Sequence, residues 1–384
     1  MATPFVKQYL MTAGPTPIPP AVSQAMAEPM LYHRAPAFIQ VYRRCLERLR
    51  LPFQTVNDVL CFSASGTGAM ESAMANLVTP GKPVVVASCG KFGERWKELA
   101  DAYGAATVHL DAGWGAKVEP SDLTRVLGEN PDVDVVYTTL SETSTGVVND
   151  VKELTEVAHR HGALIAVDAV SAMGAVPLPQ DEWGVDVVVA GSQKALMSPP
   201  GLGFASANGA ALEYAAAAPG RRFYFDWERT VSGQRKDPPD SPFTPAVGLI
   251  RALDVALGLI EDEGLEAVYE RHRLLGRATR EAARALDLGT LGETDENANV
   301  VTAIVLPDSI DGAKVPKLMR DRFGITIAGG QGHLKGKIAR IAHCGYFGAF
   351  DIVVTVAGFE MALRDLGHEL ELGAGVAAAQ RVFG

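Results

Sequence analysis

The chain is predicted to be an α/β protein: a large domain built on a mainly parallel, seven-stranded sheet sandwiched by helices, followed by a smaller C-terminal α/β domain. Three observations carry that expectation. Short hydrophobic runs rich in valine, isoleucine and leucine alternate with helical stretches of about ten residues, the pattern of strands joined by crossover helices. Several of those runs end in small or polar turns, at the sheet edge where open α/β folds bind ligands. With 384 residues and 47% hydrophobic content, the chain can bury a core large enough for two domains.

The elements follow in order. Residues 1–20 contain the proline-rich stretch Ala13-Gly14-Pro15-Thr16-Pro17-Ile18-Pro19-Pro20 and are expected to form an extended arm on a surface, since proline blocks helices and central strands. Residues 21–30 and 38–50 are expected to be helical. Strands are then expected at 59–62, 83–87, 106–110, 133–137, 164–167, 185–190 and 203–207, with helices at 68–77, 93–103, 121–127 and 151–161 between them. Helices at 246–261 and 266–286 flank Gly264. A smaller unit follows, with strands at 300–306 and 338–342 and helices at 315–323 and 350–366. The large domain is placed at residues 21–262 and the small one at 263–384.

Charge and cysteine usage narrow the function. A net charge of −10 and a pI near 5.4 argue against a nucleic-acid or anionic-membrane surface. Cys45, Cys61, Cys89 and Cys344 are scattered and show no metal-ligand spacing, as expected of reduced thiols in a cytoplasmic protein. The first residues lack a basic and then apolar pattern, so no signal peptide is expected, and no apolar run approaches the ~20 residues of a membrane span.

Chemistry is suggested first by Lys194 and Asp168, an amine and a carboxylate each at the carboxyl end of its own hydrophobic run. An enclosed lysine suits Schiff-base formation. A carboxylate beside it suits a cationic ring nitrogen, as pyridoxal 5′-phosphate requires. Ser63-Ala64-Ser65-Gly66-Thr67-Gly68 follows a strand and opens a helix. Its free N–H groups, glycines and hydroxyls could cradle a phosphate, although an ordinary capped turn would read the same. Arg340, within a strand, offers a planar fork for a carboxylate, or for a structural salt bridge.

Further motifs make a family visible. Thr139-Leu-Ser-Glu-Thr-Ser-Thr-Gly146, Val167-Asp-Ala-Val-Ser171, Gly191-Ser-Gln-Lys-Ala195, Phe243-Thr-Pro245 and Ile327-Ala-Gly-Gly-Gln-Gly332 with Lys337-Ile-Ala-Arg-Ile341 stand in the order and spacing of class V, fold type I, pyridoxal-phosphate-dependent aminotransferases. The chain resembles the alanine–glyoxylate and serine–glyoxylate (serine–pyruvate) group from Ala13 to its last helices. The resemblance implies that Lys194 carries the cofactor and moves the proton, while Asp168 pairs with the pyridinium nitrogen. Val170 would pack against the ring and Phe92 would stack on it, at a position where relatives often have Trp or Tyr. Ser65, Gly66, Thr67 and Gln193 would hold the phosphate, Thr143 the ring-hydroxyl side, and Arg340 the substrate carboxylate. Thr244 would reach the phosphate of a partner subunit in a homodimer. Ser241 departs from the tyrosine of some relatives, so its role stays open.

The implied activity is transfer of an amino group from alanine or serine to glyoxylate or pyruvate by ping-pong kinetics. Ureidoglycine–glyoxylate and 2-aminoethylphosphonate aminotransferases share that mechanism with other donors. Gln193, where cysteine desulfurases usually have histidine, and Cys344, expected to be a packed thiol, disfavour sulfur transfer. His33 and Arg34 either reach an active-site mouth or lie on a polar loop. His159, His161 and His272 are expected to face solvent, and His343 receives no role.

Overall fold

The computed structural model describes residues 6–292 and 298–384. Residues 1–5 of the expected arm lie outside the described residues. The chain opens with β1 (Tyr9–Leu10), α1 (Pro20–Ala27) and α2 (Pro36–Phe53). The alternating series is β2 (Val59–Phe62), α3 (Gly66–Leu77), β3 (Pro83–Ser88), α4 (Lys91–Ala102), β4 (Ala106–Asp111), α5 (Pro120–Glu129) and β5 (Val135–Thr139). A short ribbon, β6 (Ser141–Glu142) and β7 (Val147–Val148), precedes α6 (Val151–Arg160), β8 (Leu164–Asp168), α7 (Gln180–Trp183), β9 (Val187–Gly191) and β10 (Gly203–Ala207). Helices α8 (Gly209–Ala217), α9 (Trp227–Gln234), α10 (Val247–Glu263) and α11 (Leu265–Ala285) follow. The last part comprises β11 (Val301–Val305), α12 (Lys314–Phe323), β12 (Ile325–Thr326), β13 (Ala328–Gly329), β14 (Ile338–Ala342), α13 (Ala349–Asp365) and α14 (Ala374–Phe383).

Seven strands form one sheet in the order β2-β10-β9-β8-β5-β3-β4, in which β10 pairs antiparallel with both neighbours and the other pairings are parallel. Strand residues alternate between two cores because successive side chains point to opposite faces. Val187, Val189, Tyr137 and Ala166 fill one core, with α3 and Trp227. Val188, Ala190, Val136 and Ile165 fill the other, with α2 and α10. Burying a valine or leucine stabilises by about 1.5–3 kcal/mol, so these two layers hold the sheet rigid. Register then aligns Thr139 with Asp168 and Asp168 with Val189, placing the ends of β5, β8 and β9 at one edge.

In the smaller C-terminal unit, α11–α14 surround the antiparallel sheet β11-β14-β13. The N-terminal arm differs from expectation. It does not merely lie on a surface: β1 pairs parallel with β12, and Met11 is buried in the small unit's core. No proline stands between Pro4 and Pro15, so Tyr9 and Met11 keep their N–H groups and donate them to the carbonyls of Gly324 and Thr326 (both 2.8 Å). Helices α8, α9 and α14 also lie outside the expected series. The alanine run of α8 shows no clear polar–apolar alternation to mark a face. Helix α3 begins two residues earlier than expected, because Ser65 caps it.

His272 corrects another expectation. It is fully buried, on the inward face of α11 with Leu275 and Thr279, despite the charged residues around it in sequence. Its Nδ1 faces the Val268 carbonyl at 2.6 Å, and its Nε2 accepts the Gly345 N–H at 2.8 Å. Among the described residues no helix is long and apolar enough to cross a membrane.

Candidate active site

The strand edge opens into a cavity of about 100 Å³ lined by Ser65, Gly66, Thr67, Met70, Phe92, Arg95, Ser141, Thr143, Asp168, Val170, Ser171, Gln193 and Lys194. Nine of the residues singled out in the sequence are therefore brought together at one place: Ser65, Gly66, Thr67, Phe92, Thr143, Asp168, Val170, Gln193 and Lys194.

Lys194 follows β9 in a loop pinned from several sides. Thr16 donates its N–H to the Gln193 carbonyl (3.1 Å) and its hydroxyl to the Lys194 carbonyl (3.0 Å). Ser192 Oγ donates to the Pro199 carbonyl at 2.6 Å. Lys194 Nζ donates to the Ala13 carbonyl. Burial holds the Lys194 amine below the usual lysine range, and the charges of Arg340 and Arg95 act in the same direction. A lysine so placed is more readily neutral, and therefore nucleophilic and basic.

Asp168 ends β8 and is 4% exposed. One oxygen accepts the Val170 N–H at 2.7 Å. Burial raises its pKa to about 7, and the Glu142 charge adds to the rise. Such a carboxyl gains most from a fixed cationic partner.

The turn into α3 is built for an anion. Ser65 Oγ accepts the Gly68 N–H at 3.2 Å, and the preceding N–H groups of the first turn find no carbonyl within the helix. Gly66 is required there: a Cβ would stand 2.7 Å from Val170 Cγ1. The buried Gln193 Oε1 has no hydrogen-bond partner among the described residues.

Phe92 lies in the first turn of α4, which Glu142 caps from another segment. Glu142 Oε2 accepts the N–H groups of Phe92 (2.9 Å) and Gly93 (3.0 Å), while Oε1 accepts from Ser144 N (3.0 Å) and Oγ (2.6 Å). Arg340 on β14 sits beside the cavity. It donates Nη1 to the Thr143 carbonyl (2.7 Å) and Nε to the Gly329 carbonyl (2.9 Å). Nη2 has no partner among the described residues.

Other candidates fall elsewhere. Thr244 is exposed and lies with Ser241, Tyr224 and Phe243 around a separate hollow, and Arg34 is exposed against Tyr32. His343 is buried and its Nε2 meets Thr302 Oγ1 at 3.0 Å. Cys344 is fully buried, its thiol pushed up to about 11 by burial. Sequence reasoning gave no role to Arg95, Glu142, Ser141, Ser171 or Met70. Arg95 stands one helical turn after Phe92, a spacing that puts both on one face.

An anion cradle, a buried carboxyl, an amine and an aromatic ring around one cavity fit the phosphate, ring nitrogen, aldehyde and ring face of pyridoxal 5′-phosphate. The family model for Aminotransferase class-V matches residues 8–342. The chain belongs to the class V aminotransferases. It is thus a pyridoxal-phosphate-dependent transaminase of fold type I. This aminotransferase is 36% identical to the serine–glyoxylate aminotransferase of Methylorubrum extorquens, over 97% of its own chain and 95% of the relative. It is 44% identical to a protein of Synechococcus sp. (strain PCC 6716) named "Soluble hydrogenase, small subunit", over 98% of each chain. Among solved structures it matches the ureidoglycine–glyoxylate aminotransferase of Bacillus subtilis with a TM-score of 0.92 and 30% identity, over 100% of this chain and 99% of that one.

Proposed function

We propose that the enzyme moves the amino group of a small amino acid, alanine or serine, to glyoxylate or pyruvate by a ping-pong mechanism centred on Lys194. The observation that carries this reading is the half-buried Lys194 amine facing the same cavity as Asp168, with the Arg340 guanidinium at its margin. Bound pyridoxal 5′-phosphate supplies an electron sink for the carbanion formed when a Cα proton leaves. Lys194 Nζ is the attachment point and then the base that takes and returns that proton. Asp168 keeps the ring nitrogen positive. Ser65, Gly66, Thr67 and Gln193 hold the phosphate, Phe92 and Val170 cover the ring faces, and Thr143 borders the ring-hydroxyl side. Arg340 offers its fork to the substrate carboxylate. One set of groups serves both half-reactions, which is why donor and acceptor alternate.

Relatives named for glyoxylate as acceptor support the substrate class. The ureidoglycine–glyoxylate neighbour keeps that donor as the second reading. A hydrogenase role finds little support in this donor set of one lysine, arginines, a carboxylate and hydroxyls, since such metal centres favour soft thiolate ligands. We further propose a homodimer, in which Thr244 serves the partner's site, and a cytoplasmic setting. The division into an arm at 1–20 and domains at 21–262 and 263–384 is likewise proposed, supported by the break at Gly264 between α10 and α11.

The test pairs ¹⁵N-labelled alanine, serine and ureidoglycine with glyoxylate and pyruvate and follows the label by mass spectrometry. Label should reach the acceptor, and borohydride should fix the cofactor on residue 194 of the wild type and not of Lys194→Ala. Repeated turnover of the donor without any acceptor, beyond one oxo acid per bound cofactor, would sink the transamination reading.

A further inference from the structure

Arg95 is the charged group in the cavity to which this mechanism gives no task. It lies in α4, and its guanidinium carbon stands 4.9 Å from the centre of the Phe92 ring. Nη1 donates to Thr67 Oγ1 at 3.2 Å. Among the described residues no carboxylate pairs with it. Glu142, the acid of the neighbouring turn, is already occupied by N–H and O–H donors from Phe92, Gly93 and Ser144. The Arg95 charge instead bears on Asp168 and Lys194, across the cavity. An arginine that borders a cavity, shielded on one face by an aromatic ring and lacking a counter-ion, is prepared for an anion that arrives from outside.

Which anion follows from the hydroxyl it touches. Thr67 belongs to the α3 turn, where the free N–H groups and Ser65 stand. A helix N-terminus carries about half a positive charge, whereas a phosphate monoester carries roughly −1.5 to −2 at neutral pH. The other cradle residues, Ser65, Gly66, Thr67 and Gln193, are uncharged, so the cradle alone leaves most of that charge uncompensated. We propose that Arg95 is a phosphate-binding residue, adding a fixed guanidinium charge to the α3 cradle through Thr67. The Phe92 ring limits the rotamers open to the guanidinium, so less freedom is lost when the anion binds. This assignment rests on the reading that the cavity holds pyridoxal 5′-phosphate. It competes with a role for Arg95 in clamping a second carboxylate of the substrate.

The experiment compares phosphorylated and unphosphorylated forms of the same aldehyde. Cofactor-free wild type, Arg95→Lys and Arg95→Met are titrated with pyridoxal 5′-phosphate and with pyridoxal, and inorganic phosphate is added as a competitor. Arg95→Met should weaken pyridoxal 5′-phosphate by about 10- to 100-fold, the size of a lost charge-assisted contact, and pyridoxal by less than about threefold. With pyridoxal 5′-phosphate kept below each protein's own Kd, inorganic phosphate should block its uptake by wild type at lower concentration than by Arg95→Met, and Arg95→Lys should fall between. Retained pyridoxal binding shows that the variant is folded. Parallel losses for both aldehydes, or no loss for either, would overturn the assignment. A wild type that captures neither aldehyde would overturn the cofactor reading as well.

Discussion

At the scale of single residues, the site works through opposed effects of burial. Burial favours the neutral amine at Lys194 and the neutral carboxyl at Asp168. The Asp168 shift has a definite stability sign. Its folded pKa, about 7, lies above the ordinary 3.8, so the folded cofactor-free protein keeps a proton that the unfolded chain releases. Stability from this group is therefore present below pH ~4 and is lost as pH rises toward ~7. Between pH 5 and 8, cofactor-free wild type should lose about 2–3 kcal/mol relative to Asp168→Asn in urea unfolding. Parallel curves for the two proteins would refute that origin. At Arg340, Arg340→Lys should raise KM for the amino acid about 10- to 100-fold, since an ammonium cannot reproduce the fork. A change confined to kcat in steady-state kinetics would count against the clamp.

At the scale of elements, α4 shows how distant parts of the chain complete one another. Its N-cap, Gly90, has no side chain to offer, and Glu142 from the β6 turn takes the free N–H groups of Phe92 and Gly93. Glu142→Ala should cost about 2–5 kcal/mol in chemical denaturation and loosen Phe92, seen as weaker cofactor retention. The role of Glu142 was not legible from sequence, because its partners stand 50 and 49 residues away. Strands such as β10 and β14 were legible to the residue, because turn-forming or polar residues, Gly201 and Asn208 for one and Lys337 and His343 for the other, bracket each short run. The β1 pairing was not, since two residues carry too short a pattern to tell an edge strand from a loop. Lys194 and Asp168 could be placed together because both end strands of one sheet. His272 could not, because charged neighbours masked the inward face of α11.

At the scale of the whole molecule, the role proposed for Thr244 would make one chain an incomplete enzyme. Thr244 is exposed and outside the cavity of its own chain. The proposed dimer should sediment at twice 40.7 kDa. Mixing Lys194→Ala with Thr244→Ala subunits should restore one intact site per heterodimer, regaining activity and cofactor affinity that neither variant has alone. A stable, fully active single chain in sedimentation would remove the shared-site proposal.

The arm also sets an order of assembly. Thr16 holds the Lys194 loop from 178 positions away, while Met11 joins the small unit's core and accepts the Ala342 N–H through its carbonyl. This segment, made long before its partners, thus reaches its final place only after residue 342 has been made. Closing loops of that length makes its docking a late, non-local event in folding. The lysine loop matures with it, so a newly made chain can carry a formed seven-stranded sheet before it has a finished place for the Lys194 amine.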